Sequence, residues 1–441
     1  MSLRFHRIPR SMFEALASGG GGSETIHLLA SAQYSKHLLL LRGVVERAMA
    51  TGHHQASAAQ VGYDLLADVQ RFDPLAVQAV VSYPSVGAWA ARTMRALRGE
   101  PEMAGAEPAG LSAVAAAAAI RGRMPSKIAV PVIDGLVMLP SLGAAVVASR
   151  HASVRSRSDG TEVITDDQWT KVPDEPHRDA PGWLAVRRVC SGSLDVPIDD
   201  MDPFRLPAEP TVAHRLDDAD FEAWTRILTD TWPFMAHCHP EIAAELVTAI
   251  RAIVPLTLPP QGQVSTSSAE TFGAVALSRP PDVRTLAVTL VHEVQHIKLS
   301  ALLDMVTLIR SDDGRRFYAP WRDDPRPARG LLQGAYAYVG VTRFWHRQRQ
   351  LDDGEPGLRA HAEFARWRAA AMRVVGTLQA SGLLTPEGTE FVEGMAQVLR
   401  EWHEQPVPGD AQALADSEAE KHLTRWRSAN GQLPAQSTQG L

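Results

Sequence analysis

Only two cysteines, Cys190 and Cys238, occur in 441 residues. So sparse a set cannot supply a disulfide framework, and two isolated thiols suit a reducing cytoplasm. Long apolar runs are missing too. No stretch approaches the roughly 18 uninterrupted apolar residues of a membrane span, and the N-terminus MSLRFHRIPRSMF has no signal-peptide core. The Ala-rich stretch Leu111 to Ile120 is too short to cross a bilayer. Clustered basic residues are also lacking: 44 Lys and Arg face 50 Asp and Glu, a net charge of -6. That balance argues against nucleic acid or an anionic membrane as the main partner. What remains is a chain with 45% hydrophobic residues, enough for a large core divided among two or three packed regions. A soluble cytoplasmic protein is expected; its oligomeric state is not legible.

Texture divides the chain into four stretches. Residues 1–125 form a helical N-terminal region, with apolar residues at three-and-four spacing over Thr25–Met49, Ala58–Gln70, Pro74–Val81 and Val86–Leu97. Its run Gly19-Gly20-Gly21-Gly22 is followed by no Gly-Lys-Ser/Thr, so it reads as a loop with Ser23 as the N-cap of the next helix. Residues 126–206 change to short β-branched runs (IAVPVI, LVMLPSL, ASVRSRS, TEVIT, WLAVRRV), and Asp134-Gly135 and Asp159-Gly160 are hairpin signals. A small antiparallel β region is expected there. It is either scaffold or an edge to which an extended peptide adds as a strand.

Residues 207–427 return to helices, over Asp217–Thr229, Pro240–Ile253, Arg329–Arg349, Leu358–Ser381, Pro386–Glu404 and Ala411–Arg427. One short apolar run, Thr271–Ser278 (TFGAVALS), reads as a strand. Residues 428–441 form a polar tail expected to be disordered. The class is therefore α+β, mainly α, with a zincin-like helical catalytic region, because within that third stretch lies His292-Glu293-Val294-Gln295-His296.

Two histidines four apart on a helix point two imidazoles at one metal ion. The flanks VRTLAVTLV and IKLSALLDM are apolar at helical spacing, and Pro280-Pro281 suits a helix start, so the pentapeptide sits in the middle of a buried helix. Polar side chains in such a setting cost several kcal/mol, about 2–7, unless something satisfies them. A metal would; so would hydrogen bonds from core histidines to nearby carbonyls. In a zinc peptidase Glu293 would be the general base.

A mononuclear site needs a third protein ligand, and several sources are absent. A metzincin would carry Gly at 299 and His at 302, where this chain has Leu299 and Leu302. A gluzincin would place a glutamate on the following helix, but Arg329–Arg349 contains no acidic residue. Asp304 lies on the motif helix itself, roughly 18 Å along the axis from His292. The loop YAPWRDDPRP holds three prolines, two aspartates and two arginines. It is either a surface turn with ion pairs or a stiffened segment whose aspartate ligates metal while an arginine grips a carboxylate. His237-Cys238-His239 is read as structural, since adjacent residues cannot all face one ion. Trp232, Trp321 and Trp345 are read as core or pocket lining.

HEVQHIKLSALLD, YAPWRDDPRP, LLQGAYAYVGVTRFW and the N-terminal SMFEALASGGGGSETIHLLASAQYSKHLLLL together resemble the HExxH-domain proteins of bacterial peptide natural-product clusters. That family includes 2-oxoglutarate-dependent HExxH-type peptide β-hydroxylases, and the likeness spans nearly the whole chain. The resemblance implies Fe(II) rather than zinc, 2-oxoglutarate and O2 as cosubstrates, and a ribosomally made precursor peptide hydroxylated at a Cβ. Two histidines and a carboxylate on an octahedral ion leave three positions for such ligands. On this basis His292 and His296 are expected ligands and Arg326, then Arg322, holds the distal carboxylate of 2-oxoglutarate; Asp324 is the expected third ligand for its place in the stiffened loop beside Arg326, not from the family's motif. Gln333 and Tyr338 line the site, and Glu293 orients bound water or a ligand rather than acting as a base.

Overall fold

The structure, a computed structural model, describes residues 6–100, 106–206, 212, 214–260 and 262–431. In chain order come α1 (Arg10–Ala17), α2 (Gly22–Ala50), α3 (Ala56–Phe72), α4 (Pro74–Val81), α5 (Pro84–Ala96) and α6 (Gly110–Arg121). Then follow β1 (Ser126–Val130), β2 (Leu136–Leu139), β3 (Gly143–Val146), β4 (Ala152–Arg157), β5 (Gly160–Ile164), β6 (Trp169–Val172), β7 (Trp183–Ala185), β8 (Arg188–Ser191) and β9 (Leu194–Pro197). Next are α7 (Asp218–Cys238), α8 (Pro240–Ala249), β10 (Ala252–Leu256), β11 (Ser265–Thr266) and β12 (Ala274–Ser278). Five helices complete the chain: α9 (Val283–Leu303), α10 (Ala328–Gln348), α11 (Gly354–Ala380), α12 (Pro386–His403) and α13 (Gly409–Asn430). The class is α+β and mainly α. No helix among the described residues is long and apolar enough to cross a membrane.

Local chemistry explains several boundaries. Asp73 caps α4, its Oδ1 accepting from Leu75 N at 3.0 Å and Ala76 N at 3.1 Å, with Pro74 at the first helical position. Thr385 and Pro386 open α12 in the same way. Asp134 and Gly135 both have positive φ, 50° and 74°, the pairing a two-residue hairpin turn requires, and Ile133 and Leu136 exchange backbone hydrogen bonds across it.

The elements group into two compact units, each discontinuous in sequence. One comprises Ala30–Trp232 and Ala249–Asp282. Its antiparallel sheets run β1-β4-β5-β6, β2-β3-β7 and β8-β9, and a second three-stranded sheet runs β10-β12-β11 with β10 and β12 parallel. Its core packs the alanine side chains of α6 against valines of α3, α4 and the strands. Asp199, Asp200 and Asp202 are buried in it. Asp199 accepts from Tyr83 Oη at 2.7 Å, and Asp202 accepts from Ser85 Oγ at 2.6 Å and Phe204 N at 2.8 Å. The other unit comprises Met1–Leu29, Pro233–Thr248 and Val283–Leu441. In it α9 packs on α10, α10 on α11, and α11 on α12 and α13.

Several details differ from the sequence expectations. Ser23 lies inside the first turn of α2 rather than capping it, and its hydroxyl donates to Ala244 O at 3.3 Å. The helix expected to run to Ile253 stops at Ala249, because Ile253-Val254 continue into β10, whose five residues are all buried. Pro255 is tolerated because β10 lies at the edge of its sheet. WLAVRRV divides between β7 and β8, which belong to different sheets. At the second Asp-Gly, the turn residues are Ser158 and Asp159, and Gly160 already pairs with Arg157. Ser428–Asn430 close α13 as helix, and 432–441 of the expected tail lie outside the described residues.

Candidate metal centre

Leu286, Ala287, Leu290, Val291, Val294, Ile297, Leu299 and Leu302 bury α9 along most of its circumference, so its polar side chains must find partners inside the unit. His292 and His296, one turn apart, do so with each other. Their Nε2 atoms lie 3.0 Å apart, with ring centroids at 4.7 Å and planes at 77°. Nitrogen–metal bonds of about 2.1 Å meeting at a right angle leave the nitrogens about 3.0 Å apart, so the pair fits one ion.

The surroundings fix the rings chemically. His296 Nδ1 faces Gln333 Oε1 at 3.0 Å, while Gln333 Nε2 donates to Ser300 Oγ at 3.3 Å. A carbonyl oxygen only accepts, so Nδ1 carries a proton, and the neutral tautomer this contact selects has its bare lone pair on Nε2. Such a fixed tautomer is what a metal-ligating imidazole needs. Burial, with repulsion from His296 added, pushes the His292 pKa well below the ordinary histidine value, so this ring is neutral near pH 7. Two converging ring nitrogens can share one proton or one cation.

Aromatic side chains enclose the pair. The Tyr338 ring stands edge-to-face on His292, with centroids 5.2 Å apart and planes at 75°. Trp321 stacks on Tyr338 at 4.7 Å and Trp367 packs on it at 4.2 Å. Burial raises the Tyr338 pKa, so its phenol stays protonated. Gly334, one turn before Tyr338 on α10, makes this packing possible: a β-carbon there would overlap the Trp321 indole.

Another face of α9 carries a separate polar network. Lys298 Nζ donates to Glu245 Oε2 at 2.8 Å, to Gly20 O at 2.7 Å and to Gly19 O at 3.3 Å, and Gln295 Nε2 donates to Gly19 O at 2.7 Å. Glu245 also accepts from Arg343 Nη1 at 3.1 Å and Gly22 N at 3.3 Å. Burial works against both charges. Lys298 and Arg343 outweigh it at Glu245 and hold that carboxyl below its usual range, whereas at Lys298 burial wins and lowers the ammonium. With Lys298 and Glu245 1% and 7% exposed, this is an internal ion pair, and the four-glycine loop is its carbonyl cradle. Sequence reading missed it; a lysine two residues after the motif in an apolar helix was the available signal.

The remaining expected residues are placed as follows. Glu293 is buried on α9. Asp324 Oδ1 accepts from Arg322 Nε and Asp324 Oδ2 from Arg326 Nη1, each at 2.9 Å, with half the carboxylate side chain exposed. Slight burial pushes its carboxyl up, but Arg326 and Arg322 prevail and hold it below the usual range. Asp324, Arg322 and Arg326 thus form an ion-pair group, whereas His292, His296, Gln333 and Tyr338 are joined by hydrogen-bond and ring contacts. Among the described residues no group of three or more His, Cys, Asp or Glu side chains converges as a metal site. His239 Nε2 contacts Gln348 Oε1 at 2.8 Å and its ring stacks on Phe344 at 4.2 Å, a packed core histidine. Trp345 packs edge-on against Phe344, and Trp232 Nε1 donates to Ser193 Oγ at 3.2 Å. Trp367 was not anticipated, because nothing in its helix marks it as facing the motif. No protein-family model matches this chain, and no curated protein does either.

Proposed function

We propose that this protein is a cytoplasmic, iron-dependent oxygenase that uses 2-oxoglutarate and O2 to hydroxylate a Cβ in a ribosomally made peptide. The observation that carries this reading is the convergence of two imidazoles, His292 and His296, at 3.0 Å against the Tyr338 ring. The choice of oxygenase over other metalloenzymes comes from the family resemblance of the four sequence segments around them. A zincin-like arrangement of α9 and its neighbours belongs to the same reading, as does the reducing compartment suited to the free thiols of Cys190 and Cys238.

His292 and His296 would hold Fe(II), with Asp324 as third ligand. Asp324 now neutralises Arg322 and Arg326, so in this reading it exchanges partners, which frees both guanidiniums for the distal carboxylate of 2-oxoglutarate. A ferrous ion supplies one-electron chemistry with O2 that no side chain here possesses. The protein's own residues do the rest. Gln333 keeps the His296 proton on Nδ1, the Trp321, Tyr338 and Trp367 rings exclude water, and Glu293 sits beside the pair on α9 as a buried orienting group.

The test is anaerobic reconstitution with Fe(II), followed by 2-oxoglutarate, O2 and a precursor peptide encoded beside the gene. The expected result is a peptide heavier by one oxygen atom, dependent on 2-oxoglutarate and abolished in His292→Ala. Cleavage of the peptide with zinc would overturn the oxygenase reading, and failure to bind any divalent ion would overturn the metal centre.

A further inference from the structure

Ligating histidines are ordinarily steered by a hydrogen bond on the nitrogen that does not bind metal. His296 has one, from Nδ1 to Gln333. Among the described residues the only hydrogen-bond contact of His292 is the one to His296, so its orientation must come from packing. The packing partner is Tyr338, edge-to-face at 5.2 Å. Tyr338 is itself immobilised on both sides, by Trp321 at 4.7 Å and Trp367 at 4.2 Å, and the Arg366 guanidinium lies 4.4 Å from the Trp367 ring.

We propose that the Trp321–Tyr338–Trp367 stack is a positioning device for His292 and makes its aim depend on the loop that carries Trp321. This rests on the metal-centre reading above and adds to the exclusion of water a second role for these rings. The loop has a defined seat. Phe317 and Arg326 exchange backbone hydrogen bonds of 2.8 and 2.9 Å and pinch it shut. The C-terminal helix α13 holds its outer side: Tyr318 Oη meets His422 Nδ1 at 2.9 Å, Arg425 Nε donates to Asp323 Oδ1 at 3.2 Å, and Asn430 Nδ2 donates to Asp323 O at 2.6 Å. Trp321 is thereby presented flat to Tyr338, in the space that Gly334 leaves open. Anything that lifts the loop removes one side of the clamp and frees the Tyr338 ring, and with it His292, to turn.

Cobalt(II) alone is the probe, since its absorption bands report both affinity and coordination geometry without turnover. Wild type and Tyr338→Phe are expected to bind it equally. Tyr338→Leu should bind at least tenfold more weakly, within the range seen when outer-shell partners of metal ligands are removed, and with altered band intensities. Trp321→Leu, on a partly exposed loop residue that folding tolerates better, should weaken binding about threefold. Wild-type affinity and spectrum in folded Tyr338→Leu and Trp321→Leu would overturn the positioning role. So would an equal loss in Tyr338→Phe, which would shift the work to the phenol oxygen. Absence of cobalt binding by wild type would instead overturn the metal centre itself.

Discussion

Helix α9 carries two polar groups on faces roughly a third of a turn apart, and they are built on opposite principles. On one, Lys298 and Glu245 are charged, internal and hydrogen-bonded to Arg343 and the carbonyls of Gly19 and Gly20. On the other, His292 and His296 aim their nitrogens at one point, and burial disfavours the charged form of His292. The first arrangement is complete within the chain, and completing it is its function: it ties α1, α8 and α10 to the motif helix. The second is held in place but chemically open. Polar residues in a buried helix therefore do not by themselves mark a site; a shared focus of lone pairs does.

Replacing residues on each face sharpens that contrast. Lys298→Ala leaves Glu245 buried beside a single cation and should lower stability by about 3–5 kcal/mol, since an internal ion pair that loses one member strands the other. Denaturant unfolding followed by circular dichroism measures this, and a loss below about 1 kcal/mol would break the comparison by showing the pair to be dispensable. Gln333→Ala should do the reverse. It touches only the open face, so stability changes little, while metal affinity measured by calorimetric titration falls about 10–100-fold as His296 loses its tautomer lock.

The smallest effect concerns the other unit, where Asp199 and Asp202 lie buried close enough to repel each other. Burial, then repulsion from Asp199, pushes the Asp202 carboxyl up to about 7. Its folded pKa lies above the unfolded value of about 3.9, so the native state retains an extra proton between roughly pH 4 and 7 and loses stability as pH rises through that window. Asp202→Asn should remove this slope. Thermal melts from pH 5 to 8 should show wild type losing on the order of 1 kcal/mol more than the variant. Parallel curves would show that Asp202 is ionised throughout.

Signals confined to neighbouring residues were legible in the sequence. Asp73-Pro74 fixed the start of α4, Asp134-Gly135 made its turn, and the four-residue spacing of His292 and His296 brought the rings together. What depends on distant partners was not. Ile253 has helical neighbours on one side, yet a parallel strand claims it by pairing it with Val275, twenty-two residues later. Lys298 pairs with a glutamate fifty-three residues earlier, and Trp367 reaches Tyr338 from the next helix. Asp324 shows a subtler limit. The proline-stiffened loop marks it as constrained, but two arginines within two residues of it take both carboxylate oxygens. Local charge competes with a more distant ion, and spacing alone does not say which prevails.

Gln333 holds its Nε2 against the Ser300 hydroxyl, one turn beyond His296 on the same helix, and so turns its oxygen toward the imidazole. Exchange the two ends of that amide and the ring would have to give up its outward hydrogen and carry it inward, where it would plug the very spot both nitrogens face. Whether that spot is open or corked thus follows from the direction in which one amide is hung, and a hydroxyl that can both donate and accept leaves that direction to the amide and the ring together.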